Sequence, residues 1–424
     1  MVTLKMRLFF LYWLSAVLSL DAFGQQQLQY NDLIYESQIK TVRFFDTQSG
    51  SENSSSPAVS RLSDQYLVIE FDELNERKSD FYAKILPCNF DWSASNLRDL
   101  EFLNDYNEFP INDLSFSLNT KVPYVHYRFP VPTVKVPGNY LLIIYRDGNK
   151  DNLVLSRRIM VYDLKAMLIL DNQMKGIGNL DTEKQILNFS INYSRLQIVN
   201  PSVNLHMVMR QNERWGSAKF NLEPSSTNDY EKLMLFKNFD SDDAFYGGSE
   251  FRFVDLTSIN SPGQNVKSVD RRADPVKITV ALDVARSYEA YSLNPDINGN
   301  FTIKNNDYNQ QAWISSDYMM VEFNLKSELL ADEVFLIGAF NGWGLNEENQ
   351  MHYDNNSGFY STEILLKQGF YNYQYYVKTP NEGGNFIEGN HFQTENKYEI
   401  MVYYSSFQPY SDLLVGYFVV GSNY

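Results

Sequence analysis

Cysteine is nearly absent: Cys88 is the single one in 424 residues. One thiol forms no intrachain disulfide, so a small disulfide-stapled scaffold is excluded. With Leu86 and Phe90 beside it, Cys88 reads as a buried strand residue rather than a nucleophile. Histidine is scarce too, with four scattered residues, His126, His206, His352 and His391. None has His-x-x-x-His spacing and Cys-x-x-Cys is missing, so no dedicated zinc site is expected. There is no Gly-x-Ser-x-Gly elbow and no phosphate-cradling glycine loop. Carboxylates abound, but a glycosidase pair is defined by a gap of roughly 5–10 Å across a cleft, which linear spacing does not encode. The chain is read as a non-enzyme with no cofactor.

Positive charge is in deficit: 36 Lys and Arg stand against 52 Asp and Glu, a net charge of −16. That argues against nucleic acid and against an anionic membrane face. The acidity serves solubility or biases the surface toward a basic partner. Long apolar runs are missing except near the start, where Leu8 to Leu20 follows Lys5 and Arg7 and is broken by Ser15 and Ser19. Ala22-Phe23-Gly24 then supplies the small residues a signal peptidase reads. The run is short for a bilayer span and has the flanks of a cleaved export signal. Residues 1–24 are therefore expected to be a signal peptide, with the mature chain starting near Gln25, outside the cytoplasm. No cysteine sits at the cleavage point, so no lipid anchor is expected, and membrane association runs only through a partner.

A sustained helical period is lacking as well. Present instead are 30 Tyr and 29 Phe, an aromatic fraction of 15% that favours strands. Strand-like runs recur at Tyr66–Phe71, Asp80–Leu86, Met167–Leu170, Gln185–Tyr193, Val203–Arg210 and Val276–Leu282. They continue at Met319–Asn324, Glu333–Ile337, Gly358–Leu365, Tyr371–Lys378, Lys397–Tyr404 and Leu413–Val420. Tyr140–Arg146 and Leu153–Val161 flank Asp147-Gly148 and read as a hairpin. In Tyr371–Val377 the odd positions form one aromatic face, expected in a core. Ser93–Asn104 is expected to hold one short helix capped by Ser93 or Ser95. The fold class is all-β: a multi-domain chain of β-sandwich domains, immunoglobulin-like or early-set-like, with little helix. The expected domains are 25–163, 164–316 and 317–424.

Asp240-Ser241-Asp242-Asp243 and Asp296–Asn300 are oxygen-rich. Neither carries the twelve-residue calcium-loop pattern, so both are read as solvated turns and no metal is expected. Trp343, in Ala339-Phe340-Asn341-Gly342-Trp343-Gly344, reads either as packing over its own core or as a contact residue. Trp92 and Trp215 are weaker candidates for the same contact role.

The third block resembles early-set sandwiches related to glycogen-binding modules. The resemblance is carried by Val334–Trp343 and by Leu366-Lys367-Gln368-Gly369-Phe370-Tyr371 through Val377. In sugar-binding relatives the tryptophan of that turn contacts glucan, helped by a second tryptophan and a lysine. Trp343 matches the first; no tryptophan follows it. The first block carries Leu86–Leu97 (with Cys88 and Trp92), Ser117–Thr120, Pro123–Tyr127, Gly138–Tyr140, Tyr145–Gly148 and Arg157–Val161. This series, with Asn200-Pro201, Gln211–Trp215 and Leu414–Tyr417, resembles the type IX secretion system plug protein family of Bacteroidota. The family often has His before the cysteine; here it is Pro87. The resemblance implies a periplasmic stopper at the inner mouth of the giant outer-membrane β-barrel translocon of that system; the sequence does not say which domain enters the pore, and the first block is taken as the candidate because its motifs are the most particular. The alternative function is a carbohydrate-binding accessory protein acting through Trp343.

Overall fold

The apolar run Tyr140–Tyr145 is too continuous for a strand with one wet face, and it is buried on both. Tyr140, Leu142 and Ile144 point into the core of the first sandwich, while Leu141, Ile143 and Tyr145 point away, into a second apolar cluster. The computed structural model describes residues 27–48, 55, 57–171, 183–237, 243–308, 311–379 and 385–421. The expected signal segment 1–24 and residues 240–242 of the acidic run lie outside the described residues.

All strands of the first sandwich fall between Leu33 and Tyr162. One sheet joins Leu33–Ile34, Leu153–Tyr162, Gly138–Arg146, Phe81–Cys88 and Phe109–Ile111 in that spatial order, with Val59–Arg61 running parallel to Leu153–Tyr162. The facing sheet joins Ile39–Asp46, Leu67–Glu73, Val125–Pro130 and Asp113–Phe116. The expected hairpin is present; Asp147 (φ 54°) and Gly148 (φ 70°) take the left-handed conformations its turn requires, and Arg146 N–H donates to Asn152 O across the loop. The expected helix is shorter, four residues at Asp99–Phe102. Neither Ser93 nor Ser95 caps it, because residues 89–95 fold back on the preceding strand: Cys88 bridges Ala94, and Ser95 N–H donates to Pro87 O. Arg98 is the cap residue, and its N–H donates to Glu101.

The second sandwich pairs Met167–Leu170, Phe189–Asn192, Leu233–Phe236 and Ser226–Asn228 in one sheet. Its facing sheet holds Lys219–Phe220, Leu205–Gln211, Lys397–Phe407 and Tyr410–Gly421. The last two strands, expected in the third block, belong to this sheet: Tyr398–Tyr404 pairs with Leu205–Gln211 along its length, and Tyr410–Gly421 pairs on the far side of Lys397–Phe407. The expected strand Gln185–Tyr193 is split. Gln185 pairs with Phe245, and its side-chain amide donates to Phe392 O and Thr394 O, whereas Phe189–Asn192 joins the other sheet.

The third assembly is one continuous strand path, Arg252–Asp255, Gly369–Val377, Val334–Ile337, Gln350–Asp354, Phe359–Lys367, Tyr318–Lys326, Val276–Val280 and Val266–Asp270. It encloses a single core. The cut expected after Ser316 runs through this sheet: Val276–Val280 pairs in parallel with Tyr318–Lys326, Val276 opposite Met319. Two apolar β runs on either side of that cut cover the same core, which a linear division does not anticipate. The aromatic face lies in the core as expected, with Tyr371, Tyr373 and Tyr375 buried. Their hydroxyls are satisfied: Tyr371 donates to Lys367 O, and Tyr373 and Tyr375 both donate to Asp283 Oδ2.

Candidate functional site

Each sandwich touches the other two, and the contacts are polar groups buried by apolar neighbours. Between the first and second, the outward residues Leu141, Ile143 and Met160 meet Val208, Met401, Tyr403 and Leu414. Tyr403 O–H donates to Asn139 Oδ1 at 2.9 Å and Phe90 N–H donates to Asp412 Oδ2 at 3.0 Å. Two of the expected contact tryptophans converge here. Trp92 and Trp215 meet edge to face, centroids 5.0 Å apart. The Arg158 guanidinium lies over both, 4.9 Å from Trp92 and 5.3 Å from Trp215, and Arg210 lies 4.3 Å from Trp215. Arg210 forms a two-pronged pair with Glu399, at 2.5 and 2.9 Å, and the Tyr417 hydroxyl donates to the same carboxylate. Trp92 is 2% exposed, so it is built into the joint rather than offered at a surface. Burial pushes the lone Cys88 thiol at this joint up to about 12, which keeps it protonated and inert.

Between the first sandwich and the third lies a second buried polar joint. Along Leu67–Glu73 the residues Ile69 and Phe71 face the first core. By alternation Glu70 and Asp72 point the other way. That face is covered by the third sandwich, leaving Glu70 1% and Asp72 0% exposed. Asp72 accepts from His126 Nδ1, from the Tyr318 hydroxyl and from Lys367 Nζ, each at 2.6 Å. Lys367 also donates to Trp313 O at 2.7 Å and lies 4.1 Å from the centre of the Tyr124 ring. Glu70 takes Arg43 at 2.6 Å and Arg128 at 3.1 Å. Burial alone would raise the Asp72 carboxyl, but Lys367 and His126 outweigh it and hold it below the ordinary value. His126, expected in a strand or structured edge, does sit in a strand and is an internal partner of Asp72.

The third expected tryptophan, Trp343, stands where the second and third sandwiches meet. Arg214, from the turn after Leu205–Gln211, lies 4.8 Å over its ring, and Phe251 packs against it with centroids 5.7 Å apart. Trp343 is thus half-buried with one face under a guanidinium, unlike an open stacking platform for sugar. The Asp296–Asn300 turn, expected to be solvated, supports it from below. Asp296 accepts Phe251 N–H and Asn298 N–H, and Gly299 is buried. Gly299 has φ +77°, and a Cβ there would sit 2.1 Å from Trp343 Cη2. Gly299→Ala is therefore expected to cost about 1–3 kcal/mol from backbone strain alone and to push Trp343 outward. Chemical denaturation together with a red shift in tryptophan emission checks it.

Trp215 and Trp343 line one cleft of roughly 740 Å³ where all three sandwiches meet; Trp92 does not. The first sandwich contributes Arg157 and Arg158, and the second contributes Arg210 and Arg214. Burial pushes Arg214 down to about 10, leaving it cationic at neutral pH. Among the described residues no cluster of His, Cys, Asp and Glu is placed to hold a metal ion. The sequence reading missed Asp72, Lys367, Glu399 and the cleft arginines as interacting groups; Arg157, Arg158, Arg214 and Lys367 fell within stretches that carry the resemblances, and Arg210 and Glu399 within expected strands, but none was assigned a partner.

A body of packed β-sandwiches, joined through a buried ion pair, buried hydrogen bonds and cation–ring contacts, is the class of protein this geometry defines. Residues 39–163 match the family model described as "Type 9 secretion system plug protein 1st domain", and the first sandwich belongs to that domain family. A crystal structure of a hypothetical protein from Parabacteroides merdae ATCC 43184 is similar to the chain at 27% identity and a TM-score of 0.85. The match covers 93% of this chain and 100% of that one. No curated protein matches by sequence.

Proposed function

We propose that the chain is a non-enzymatic plug that stands in the periplasm and closes the periplasmic mouth of the outer-membrane β-barrel translocon of the type IX secretion system. The observation that carries this reading is the plug-domain match over residues 39–163. Rigidity supports it, because a stopper acts by shape. The Asp72–Lys367 pair ties the first sandwich to the third, and the Tyr403–Asn139 and Phe90–Asp412 hydrogen bonds tie it to the second. The first sandwich is the part proposed to meet the barrel. Its acidic residues would speed docking onto a basic rim.

Deleting the gene while retaining the barrel is expected to sensitise cells several-fold to large hydrophilic antibiotics excluded by an intact outer membrane. Complementation by the full-length gene is expected to restore exclusion. Unchanged uptake with the barrel present at normal level would refute the stopper role.

A further inference from the structure

The cleft between the sandwiches runs against the charge of the molecule. The chain carries −16 overall, yet the cleft is lined by Arg43, Arg157, Arg158, Arg210, Arg214 and Lys219, with Asp32 and Glu213 as its acids. Some of this charge is spoken for: Arg43 pairs with Glu70, Arg210 with Glu399, and Glu213 with Lys397. Arg157, Arg158 and Arg214 have no carboxylate within ion-pair distance among the described residues. Arg157 donates to the carbonyls of Leu33 and Ser156. Arg158 donates to Tyr30 O, and its Nε–H is buried without a partner. Arg214 is held by the face of Trp343. One carboxylate, Asp32, attracts both Arg157 and Arg158 from beyond ion-pair distance. Three half-buried guanidinium groups against that one acid leave the cleft with an excess of positive charge, which is costly to desolvate and favours a negatively charged ligand.

We propose that this cleft binds an acidic peptide segment, a stretch of chain carrying several carboxylates, from a partner protein. Three features select that chemistry. The volume lies within the range of ligand-binding clefts. The unpaired cations sit on separate walls, Arg157 and Arg158 on the first sandwich and Arg214 on the second, so they suit carboxylates spaced along a chain rather than one compact phosphate. Between them stand Trp215, Phe251, Phe340 and Trp343, which suit the aliphatic stems and aromatic neighbours of a peptide. A glycan finds the Trp343 face already taken by Arg214, and a nucleic acid meets a repulsive outer surface. The site stands whether or not the chain closes a pore, since it depends only on the cleft's own groups.

The test is fluorescence anisotropy of a labelled hexaglutamate peptide titrated with the full chain, beside hexalysine and inorganic phosphate. Saturable binding of hexaglutamate that weakens with salt is expected, with hexalysine inert. Arg157→Gln and Arg214→Gln are each expected to weaken it by about tenfold or more, with quenching of tryptophan emission lost in Arg214→Gln. Arg214 has no ion-pair partner, so its variant should stay folded, with a melting temperature lowered only by the loss of its contact with the Trp343 ring. If Arg157→Gln fails to fold, Arg214→Gln and the charge-keeping Arg214→Lys carry the comparison. Absence of hexaglutamate binding, binding by both variants as tight as the parent's, or competition by phosphate at the same concentration as peptide overturns the proposal.

Discussion

Asp72→Asn is expected to destabilise the protein by about 3–5 kcal/mol, the range for removing one member of a buried ion pair. The substitution is nearly isosteric, so packing is unchanged and the loss is electrostatic. The carboxylate accepts three bonds of 2.6 Å, from His126, Tyr318 and Lys367. Lys367 is 1% exposed, so its charge cannot turn to water when Asp72 becomes neutral. Tyr318 in turn accepts from Thr41, 2.6 Å away, because its own proton goes to Asp72. One neutralised carboxylate thus loosens two sandwiches at once. The companion variant separates this from general fragility. Asp72→Asn combined with Lys367→Met removes the stranded charge and should recover much of the loss, since buried pairs replaced by apolar groups are often tolerated. Chemical denaturation of the two variants checks both. Equal destabilisation of the single and double variants would mean that the joint depends on packing alone.

That joint explains where sequence reading stops. Alternation in Leu67–Glu73 is visible in the letters, and Ile69 and Phe71 do face a core. For a lone sandwich the other face is wet, and Glu70 and Asp72 look like ordinary solvated acids. Only the arrival of Tyr318 and Lys367, some 250 to 300 positions later in the chain, turns them into buried ones. The all-β class, the central hairpin and the Tyr371–Val377 face are local properties and were legible. The split of Gln185–Tyr193 and the pairing of Lys397–Phe407 with Leu205–Gln211 were not, because each is decided by which distant strand edge is free.

The tryptophans carry the same lesson. Sequence analysis offers Trp343, and more weakly Trp92 and Trp215, as residues for an outside contact; the structure places all three where sandwiches of the same chain meet. What the sequence does not supply is the cation over each ring. Arg158, Arg210 and Arg214 are unremarkable in a chain with 36 basic residues. Their meaning comes from being folded onto Trp92, Trp215 and Trp343, with neither Arg158 nor Arg214 in ion-pair contact with a carboxylate among the described residues.

Glu399→Gln is expected to cost a similar amount, about 3–5 kcal/mol at neutral pH, and its pH dependence identifies the cause. Burial alone would raise the Glu399 carboxyl; the Arg210 guanidinium, with the Tyr417 hydroxyl, holds it below the ordinary value. A carboxyl lowered by folding releases its proton more readily in the folded than in the unfolded chain. Its contribution is therefore complete above the unfolded value of about 4.3 and disappears as pH falls through the folded value. The parent and the glutamine variant should differ fully near pH 7 and draw together in acid, where a protonated Glu399 also leaves Arg210 unpaired. Each proton involved steepens the parent's stability loss by up to about 1.4 kcal/mol per pH unit. Asp72, Glu70 and Glu388, the last buried in the third assembly against Arg252 and Arg286, are held down in the same way by basic partners, against the upward push of burial, so the parent should also unfold steeply in acid. Denaturation midpoints for the parent and Glu399→Gln, measured from neutral pH down into acid, test this. A gap between the two curves that stays constant with pH would mean that Glu399 contributes through shape rather than charge.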